Sequence, residues 1–328
     1  MAVLYRLVYA AMFLVGSGGV MPVFGQAGAE TTSFPVLTLD ASARSAALAG
    51  ATGASAPGDV NGLFYNPALL DAATHQTASL SYLNHLSDIN AGTLAYSRTL
   101  ERWKTTIGAG VRFVHWGTFD GRDAQGVSTG TFRAGDVALT LSVARALTER
   151  VHYGASVHVV HSGIETARAT ALAGDLGARY QMGDRGLMLS ATVRNLSVVL
   201  DDFGPSETTL PADVRISASK PLAHLPLRLI VSAYDLNNAG TGVAGGQTLD
   251  HVLAHLLIGG ELTLGEVLHL RAGYNHRRSK ELALNDRFDL AGLNLGFGVM
   301  LSRFAVDYAY TSWSDIGGLH QFTVRAFL

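Results

Sequence analysis

The sequence predicts an all-β fold, a transmembrane antiparallel β-barrel of about 14 strands preceded by a short N-terminal plug. Two observations support this prediction. Apolar residues make up 48% of the 328 residues and charged residues only 15%, whereas an ordinary soluble domain has about 25% charged residues. From about residue 76 onward, the apolar residues recur at every second position, which is the period of a strand and not of a helix.

The rest of the composition excludes several classes of protein. The formal net charge of −2 provides no strongly basic surface for nucleic acid. The absence of cysteine excludes disulfide scaffolds, thiolate metal sites and cysteine nucleophiles. High apolar content with few charges is also the opposite of the composition of a disordered chain.

Residues 1–25 are predicted to be a secretory signal peptide. Arg6 is followed by an apolar stretch, and we expect cleavage before Gln26. An uncleaved anchor is the alternative, but Gly16-Ser17-Gly18 and Pro22 shorten the apolar core below the ~20 residues that a membrane span requires. The mature chain is therefore expected in the outer membrane of a Gram-negative bacterium.

The alternation is clear in residues 151–159, where Val151, Tyr153 and Val157 alternate with His152 and His158. The predicted segments run about 10–13 residues, the length of a tilted membrane strand, whereas strands of globular proteins centre on about 5–6. Their connections alternate between long and short, as the external loops and periplasmic turns of outer-membrane barrels do. The long connections are predicted at 117–130, 163–168, 201–209, 238–250, 277–286 and 312–318.

The segment 26–75 is predicted to fold as a plug inside the barrel of residues 76–328. It is too rich in Gly and Ala to form a domain of its own, and a 14-stranded barrel would otherwise enclose an open channel. The small-residue run 42–50 suits a short helix that carries Arg44. Asn66-Pro67 is a turn signal, because Asn tolerates tight geometry and Pro fixes φ.

These residues carry a resemblance to known proteins. The combination of SARSAALAG (42–50) and NPALLD (66–71) before a barrel resembles the FadL-like outer-membrane family. Four longer stretches are similar to the PorV/PorQ family of the type IX secretion system of the Bacteroidota. They are residues 80–100, 117–147, 210–229 and 270–282.

The resemblance implies a FadL-like barrel that is not an enzyme and needs no cofactor or metal. It would anchor a PorZ-like surface protein in the attachment complex with PorU and PorV, which secretes cargo and joins it to lipopolysaccharide at the cell surface. The alternative within the resemblance is a FadL-like transporter of hydrophobic compounds. That function would require an apolar pocket and a lateral opening in the wall.

Two further interpretations come from the residues alone. A barrel enzyme would need a Ser/His or Asp/His set at the external rim, and His85 with Asp88 is the only near pair. His251 and His255 would share a face of a strand and could hold a metal, but a position in the lumen or at the rim is the preferred interpretation.

The charges within strands are predicted to face the lumen. Both signs are mixed, which favours ion-paired packing between wall and plug over an ion-selective pore. The predicted lumenal charges are Arg112, Asp136, Asp175, Arg179, Arg194, Asp213, Arg215, Glu261, Arg271, Arg303 and Asp307.

The external loops are the predicted site of partner contact, because loops on a rigid scaffold often carry function. The candidate residues are Asn84, His85, Asp88, Phe119, Asp120, Arg122, Asp123, Arg277, Arg278 and Glu281.

Overall fold

Fourteen strands close into a single barrel within the residues that the computed structural model describes, which are 32–84, 89–183, 186–204, 208–240, 248–282, 290–313 and 317–328. Each strand pairs antiparallel with the next along the chain, and the last pairs with the first. The strands are β1 (Thr77–Asn84), β2 (Asn90–Leu100), β3 (Thr105–Arg122), β4 (Ser128–Ala146), β5 (Val151–Ile164), β6 (Ala167–Met182), β7 (Leu187–Asp201), β8 (Asp213–Pro221), β9 (Leu227–Ala233), β10 (Leu256–Leu264), β11 (Leu268–Asn275), β12 (Leu293–Met300), β13 (Phe304–Ser312) and β14 (Gly318–Phe327).

The two faces of the wall differ as the alternation predicted. On β4, Leu139 and Leu141 are 54% and 62% exposed, while Thr140 and Ser142, which alternate with them, are buried. Exposed apolar side chains on the outer face are what a lipid environment requires, and small polar side chains on the inner face leave room for the chain inside. The prediction of a closed antiparallel barrel of about 14 strands is confirmed.

The barrel closes between its first and last strands, with Thr77 opposite Phe327 and Asn84 opposite His320. The ends of the barrel sequence therefore lie on the same side as the short turns, such as the one at residues 147–150. In outer-membrane barrels this side faces the periplasm. The opposite end carries the long connections and is called the external end below.

The hairpin of β3 and β4 is much longer than its neighbours. The β2–β3 pairing stops at His115 and the β4–β5 pairing stops at Ala134, so beyond these positions β3 and β4 pair only with each other among the described residues. The prediction of a loop over 117–130 is therefore wrong, because only 123–127 connects the strands. The predicted loop 163–168 is likewise reduced to residues 165–166.

Three short α-helices accompany the strands in the described residues: α1 (Ala43–Ala47), α2 (Thr248–Leu253) and α3 (His276–Leu282). The predicted loop 277–286 thus begins as a helix. None of the described helices has the length and apolar character needed to cross a membrane. The predicted signal peptide lies outside the described residues.

The N-terminal segment, residues 32–76, lies inside the barrel and packs against its inner face. Besides α1 it contains 3-10 helices at Pro35–Leu37, Val60–Phe64, Pro67–Leu69 and Ala72–Thr74. Four of these five elements begin at a side chain that accepts a backbone N–H, and the caps are Ser42, Asp59, Asn66 and Asp71. Such caps satisfy helix donors that have no intrahelical partner, which allows short turns to persist where no water is available.

Candidate functional site

Arg44 connects the N-terminal segment to the barrel wall. Its guanidinium donates two hydrogen bonds of 3.0 Å to the carboxylate of Glu261 on β10 and lies 3.5 Å from Asp59. All three side chains are buried. Burial alone disfavours the charged guanidinium, but the carboxylates of Glu261 and Asp59 outweigh it and raise the pKa of Arg44 above its ordinary value.

The network continues around the wall. Arg271 on β11 contacts both Glu261 and Asp307 at 2.6 Å, and Arg325 on β14 contacts the other oxygen of Asp307 at 3.1 Å. Three arginines and three carboxylates, including Asp59, thus alternate in one chain of contacts. A buried charge that keeps a partner avoids most of its desolvation penalty.

The wall leaves room for α1 through glycines on its inner face. A Cβ at Gly273 on β11 would meet the backbone of Leu48 and Ala49, and one at Gly296 on β12 would meet the Cβ of Ala47. The close approach of backbone to backbone explains why small residues occupy these positions. It also explains the Ala-rich run around Arg44.

The Asn66-Pro67 turn is held in the same way on the opposite wall. Asn66 Oδ1 accepts the backbone N–H of Ala68 at 3.0 Å, and its Nδ2 donates to the carbonyl of Gly53 at 2.9 Å. A Cβ at Gly154 on β5 would lie 2.7 Å from the backbone of Pro67. The turn therefore rests directly on the strand backbone.

Arg112 and Arg194 bind carbonyl oxygens of the N-terminal segment. Arg112 donates to the carbonyl of Leu37 at 3.2 Å and stacks 4.9 Å from the ring centre of Phe64. Arg194 donates to the carbonyl of Phe64 at 3.2 Å. These arginines satisfy carbonyls at the ends of 3-10 helices, which would otherwise be buried without a partner.

Other charged side chains on the inner face also form ion pairs. Arg179 contacts Asp71 of the N-terminal segment at 2.6 Å. Asp213 contacts both Arg194 and Arg215, and Asp175 lies 2.9 Å from His158. The exception to the predicted set is Arg303, which is exposed in the turn between β12 and β13. The apolar residues that follow Arg303 continue the alternation, but β13 begins only at Phe304, one residue after it.

An apolar cleft of about 800 Å³ opens at the external end of the barrel. Trp116 and Phe119 on β3, Phe132 on β4 and Ile164 at the end of β5 form much of its wall. The rings of Phe119 and Phe132 stack with centroids 5.4 Å apart. The further lining residues are Thr32, Ser33, Pro35, Ile89, Gly117, Thr118, Ala134, Asp136, Ser162 and Phe203. We call this set the external cleft.

Sequence reasoning did not find the external cleft, although a signal was present. Phe119 falls in the connection predicted at 117–130, and Trp116 and Phe132 flank it; three aromatic residues so close to a loop are unusual. The register of β3 against β4 shifts between His115 and Thr118. Such an irregularity re-aims side chains and breaks the simple alternation on which the prediction depended.

The predicted partner loops are mostly regular structure. Phe119, Asp120 and Arg122 belong to β3, Asp123 lies in the following turn, and Asn84 ends β1. The predictions for His85 and Asp88, including their use as an enzymatic pair, lie outside the described residues.

Helix α3 contains the remaining candidates, Arg277, Arg278 and Glu281. Arg277 points inward, because it contacts the buried Asp235 at 3.1 Å and lies 5.2 Å from the ring centre of Tyr234. Glu281 is exposed. Of these three residues, Arg277 therefore has its side chain in contacts within the barrel.

The histidine pair considered for a metal is not on a strand. His251 lies in α2, and His255 follows that helix next to Asp235, at 3.9 Å. No group of three or more potential metal ligands occurs in the portion of the chain that the structure covers.

Comparison with solved structures identifies the architecture. The chain is similar to the toluene transporter TodX of Pseudomonas putida, with 13% identity over 90% of this chain and 98% of that one, at a TM-score of 0.56. It is similar at a TM-score of 0.53 to a Pseudomonas aeruginosa FadL homologue, with 12% identity over 88% and 98% of the two chains. The fold is that of the FadL-type outer-membrane barrels.

A third similar structure is the monoaromatic hydrocarbon channel CymD, with 12% identity over 92% of this chain and 99% of that one, at a TM-score of 0.53. No protein-family model and no curated protein matches the chain. The three structures are described as channels or transporters or by their homology to FadL. At these identities they show the fold, and function has to be argued from the site.

Proposed function

We propose that this protein is a plugged outer-membrane barrel whose external cleft binds small apolar compounds for uptake. The observation that carries the proposal is the external cleft itself. Its volume of about 800 Å³ falls in the range of about 300–1,000 Å³ that is usual for small-molecule sites. Its wall is aromatic and aliphatic, as such sites usually are.

The structural relatives support the same class of ligand. TodX is described as a toluene transporter and CymD as a monoaromatic hydrocarbon channel. The ion-paired contacts of Arg44 and Arg179 hold the N-terminal segment inside the barrel, and Thr32, Ser33 and Pro35 of that segment line the external cleft. A compound bound there would be withdrawn from water before it meets the interior of the barrel.

Binding can be tested with the purified full chain in lipid nanodiscs, which avoids competition from detergent. Toluene and p-cymene are titrated while tryptophan fluorescence is followed, to which Trp116 in the cleft contributes beside Trp103 and Trp313. Phe132→Ala should weaken binding by about tenfold, because it removes one of the two stacked aromatic rings in the wall of the site. Phe304→Ala is the matched control, since Phe304 is 50% exposed on the outer face of β13. Equal affinities for the two variants would contradict the proposal.

A second candidate is the anchoring of a PorZ-like surface protein together with PorU and PorV at the lipopolysaccharide surface. It is supported by the sequence resemblance and by the projecting β3–β4 hairpin. Beyond His115 and Ala134 this hairpin has no neighbouring strand in the described part of the chain, and Val127 at its tip is 61% exposed. A projecting two-stranded arm with an apolar tip suits contact with another protein.

The second candidate can be separated from the first by shortening only the tip of the hairpin. Replacing residues 122–128 with a short Gly-Ser turn leaves Phe119 and Phe132 in place. The barrel should still fold and still bind hydrocarbons, but it should lose co-purification with a PorZ-like protein. The same replacement in the turn at 222–226, at the opposite end, is the control. Unchanged co-purification would exclude the hairpin tip as the docking site.

A further inference from the structure

Asp136 differs from the other inward-facing carboxylates of the wall. Asp175, Asp213, Glu261 and Asp307 each have an Arg or His nitrogen within 4.0 Å. Among the described residues, none lies within that distance of Asp136. Yet Asp136 is only 5% exposed. A buried carboxylate without a cation is costly, so this position requires an explanation.

The contacts of Asp136 satisfy one of its two oxygens. Ser162 Oγ donates to Oδ1 at 2.5 Å. The indole of Trp116 and the backbone N–H of Val36 also act on the carboxylate, and His161 has a weaker electrostatic effect on it. Oδ2 has no hydrogen-bond partner within the described part of the chain. The carboxylate therefore keeps acceptor capacity that the protein does not use.

Asp136 and Ser162 line the external cleft together with the aromatic rings of Trp116, Phe119 and Phe132. Aromatic faces and a carboxylate both attract a cation, and the aromatic faces also accept an apolar body. A molecule with an ammonium group at one end of a hydrocarbon or aromatic body complements both features. A carboxylate of the same size would be repelled by Asp136.

We propose that the external cleft selects apolar amines, whose ammonium group pairs with Asp136, over hydrocarbons and carboxylates of equal size. This inference rests on the proposed function, since it assumes that the cleft binds small apolar molecules. It adds a preference for a positively charged head group to that site. The aromatic wall supplies affinity, and Asp136 supplies the discrimination between head groups.

The test compares three ligands of matched size: 4-phenylbutylamine, pentylbenzene and 4-phenylbutanoate. Each is titrated calorimetrically against the full chain in zwitterionic nanodiscs at neutral pH, with empty nanodiscs subtracted. The amine should bind at least about tenfold more tightly than pentylbenzene, because a hydrogen bond to a charged group contributes more than a neutral contact. The carboxylate should bind more weakly than both.

The isosteric variant Asp136→Asn should remove the preference. The affinity for the amine should fall by about tenfold, and that for pentylbenzene should change much less, so that the ratio of the two affinities falls toward one. Its thermal midpoint should not fall, because no cationic partner is lost; a purely structural Asp136 would lower it. The ranking of the three ligands on the wild-type chain tests the inference even where the variant does not fold.

The outcomes separate the two proposals. Equal binding of amine and hydrocarbon, unaffected by Asp136→Asn, would overturn the inference and leave the proposed function intact. Binding of none of the three ligands, with toluene also inactive, would overturn both. Preferential binding of 4-phenylbutanoate would overturn the inference as well.

Discussion

Arg44 of the N-terminal segment and Glu261 of β10 form a two-point hydrogen-bonded ion pair, with both nitrogen–oxygen distances at 3.0 Å. They are 217 residues apart in the chain and both are buried. The planar guanidinium matches the carboxylate at two points, which fixes orientation as well as distance. The pair therefore sets the position of the N-terminal segment in the barrel.

Glu261→Gln should destabilise the protein strongly. It leaves the guanidinium groups of Arg44 and Arg271 buried beside a neutral side chain. Breaking one partner of a buried ion pair typically costs about 3–5 kcal/mol. Urea unfolding in lipid bilayers measures the loss. Glu101→Gln, at an exposed position in a short turn, is the control and should change stability little. A loss equal to that of the control would show that the network does not stabilise the fold.

Gly154→Val should displace the Asn66-Pro67 turn. The added Cβ would lie 2.7 Å from the backbone of Pro67, which cannot move away as a flexible side chain would. Overpacking of this kind costs about 1–3 kcal/mol, although Val is a better strand former than Gly. Gly163→Val on the same strand is the control, because no atom lies within 4 Å of a Cβ there. Hydrogen exchange of residues 60–70 should increase for the first variant alone.

The contribution of Asp59 should depend on pH. Burial raises its pKa, but the guanidinium groups of Arg325 and Arg44 outweigh burial and hold it below the ordinary value. A carboxyl whose pKa is lowered by folding stabilises the protein above its unfolded pKa of about 3.9 and loses that contribution as the pH falls through the folded value.

Thermal midpoints of the wild type and Asp59→Asn should therefore differ at pH 7 and converge below about pH 4. Measuring both proteins between pH 7 and pH 2 checks this. A difference that stays constant over the whole range would contradict an ionised Asp59 in the folded protein.

Arg271→Glu should lower stability without creating an ion-selective pore. The substitution places a third carboxylate beside Glu261 and Asp307, so repulsion replaces two ion pairs. The N-terminal segment still has its contacts through Arg112, Arg179 and the Asn66-Pro67 turn. Planar-bilayer recordings should show no large conductance whose selectivity changes sign with this variant. Such a conductance would mean that these charges line an ion pathway.

Several features were predictable because they depend on local pattern. The alternation of Val151, Tyr153 and Val157 with His152 and His158 sets which face meets lipid, since successive side chains of a strand point to opposite sides. Most predicted lumenal charges lie on the inner face for the same reason. Arg303 does not, because β13 begins one residue after it, at Phe304. Arg303 therefore lies in the preceding turn and not in the wall.

The length of β3 and β4, the helix α3 and the external cleft were not predictable in the same way. They arise where strands extend beyond their neighbours and where a register shift between His115 and Thr118 places Phe119 opposite Phe132 in the cleft. A period of two carries no information about either event.

The sequence by itself determined the barrel, its strand number and the division of side chains between lipid and lumen, because these follow from a periodicity of two repeated over short segments. Only the tertiary structure decided which charges meet. Arg44 and Glu261 are far apart in the chain, and the closure of the barrel brings them together. The same structure leaves Asp136 without a cation among the described residues, since Arg112, the inward-facing arginine of the neighbouring β3, donates to the carbonyl of Leu37 and β5 has no arginine.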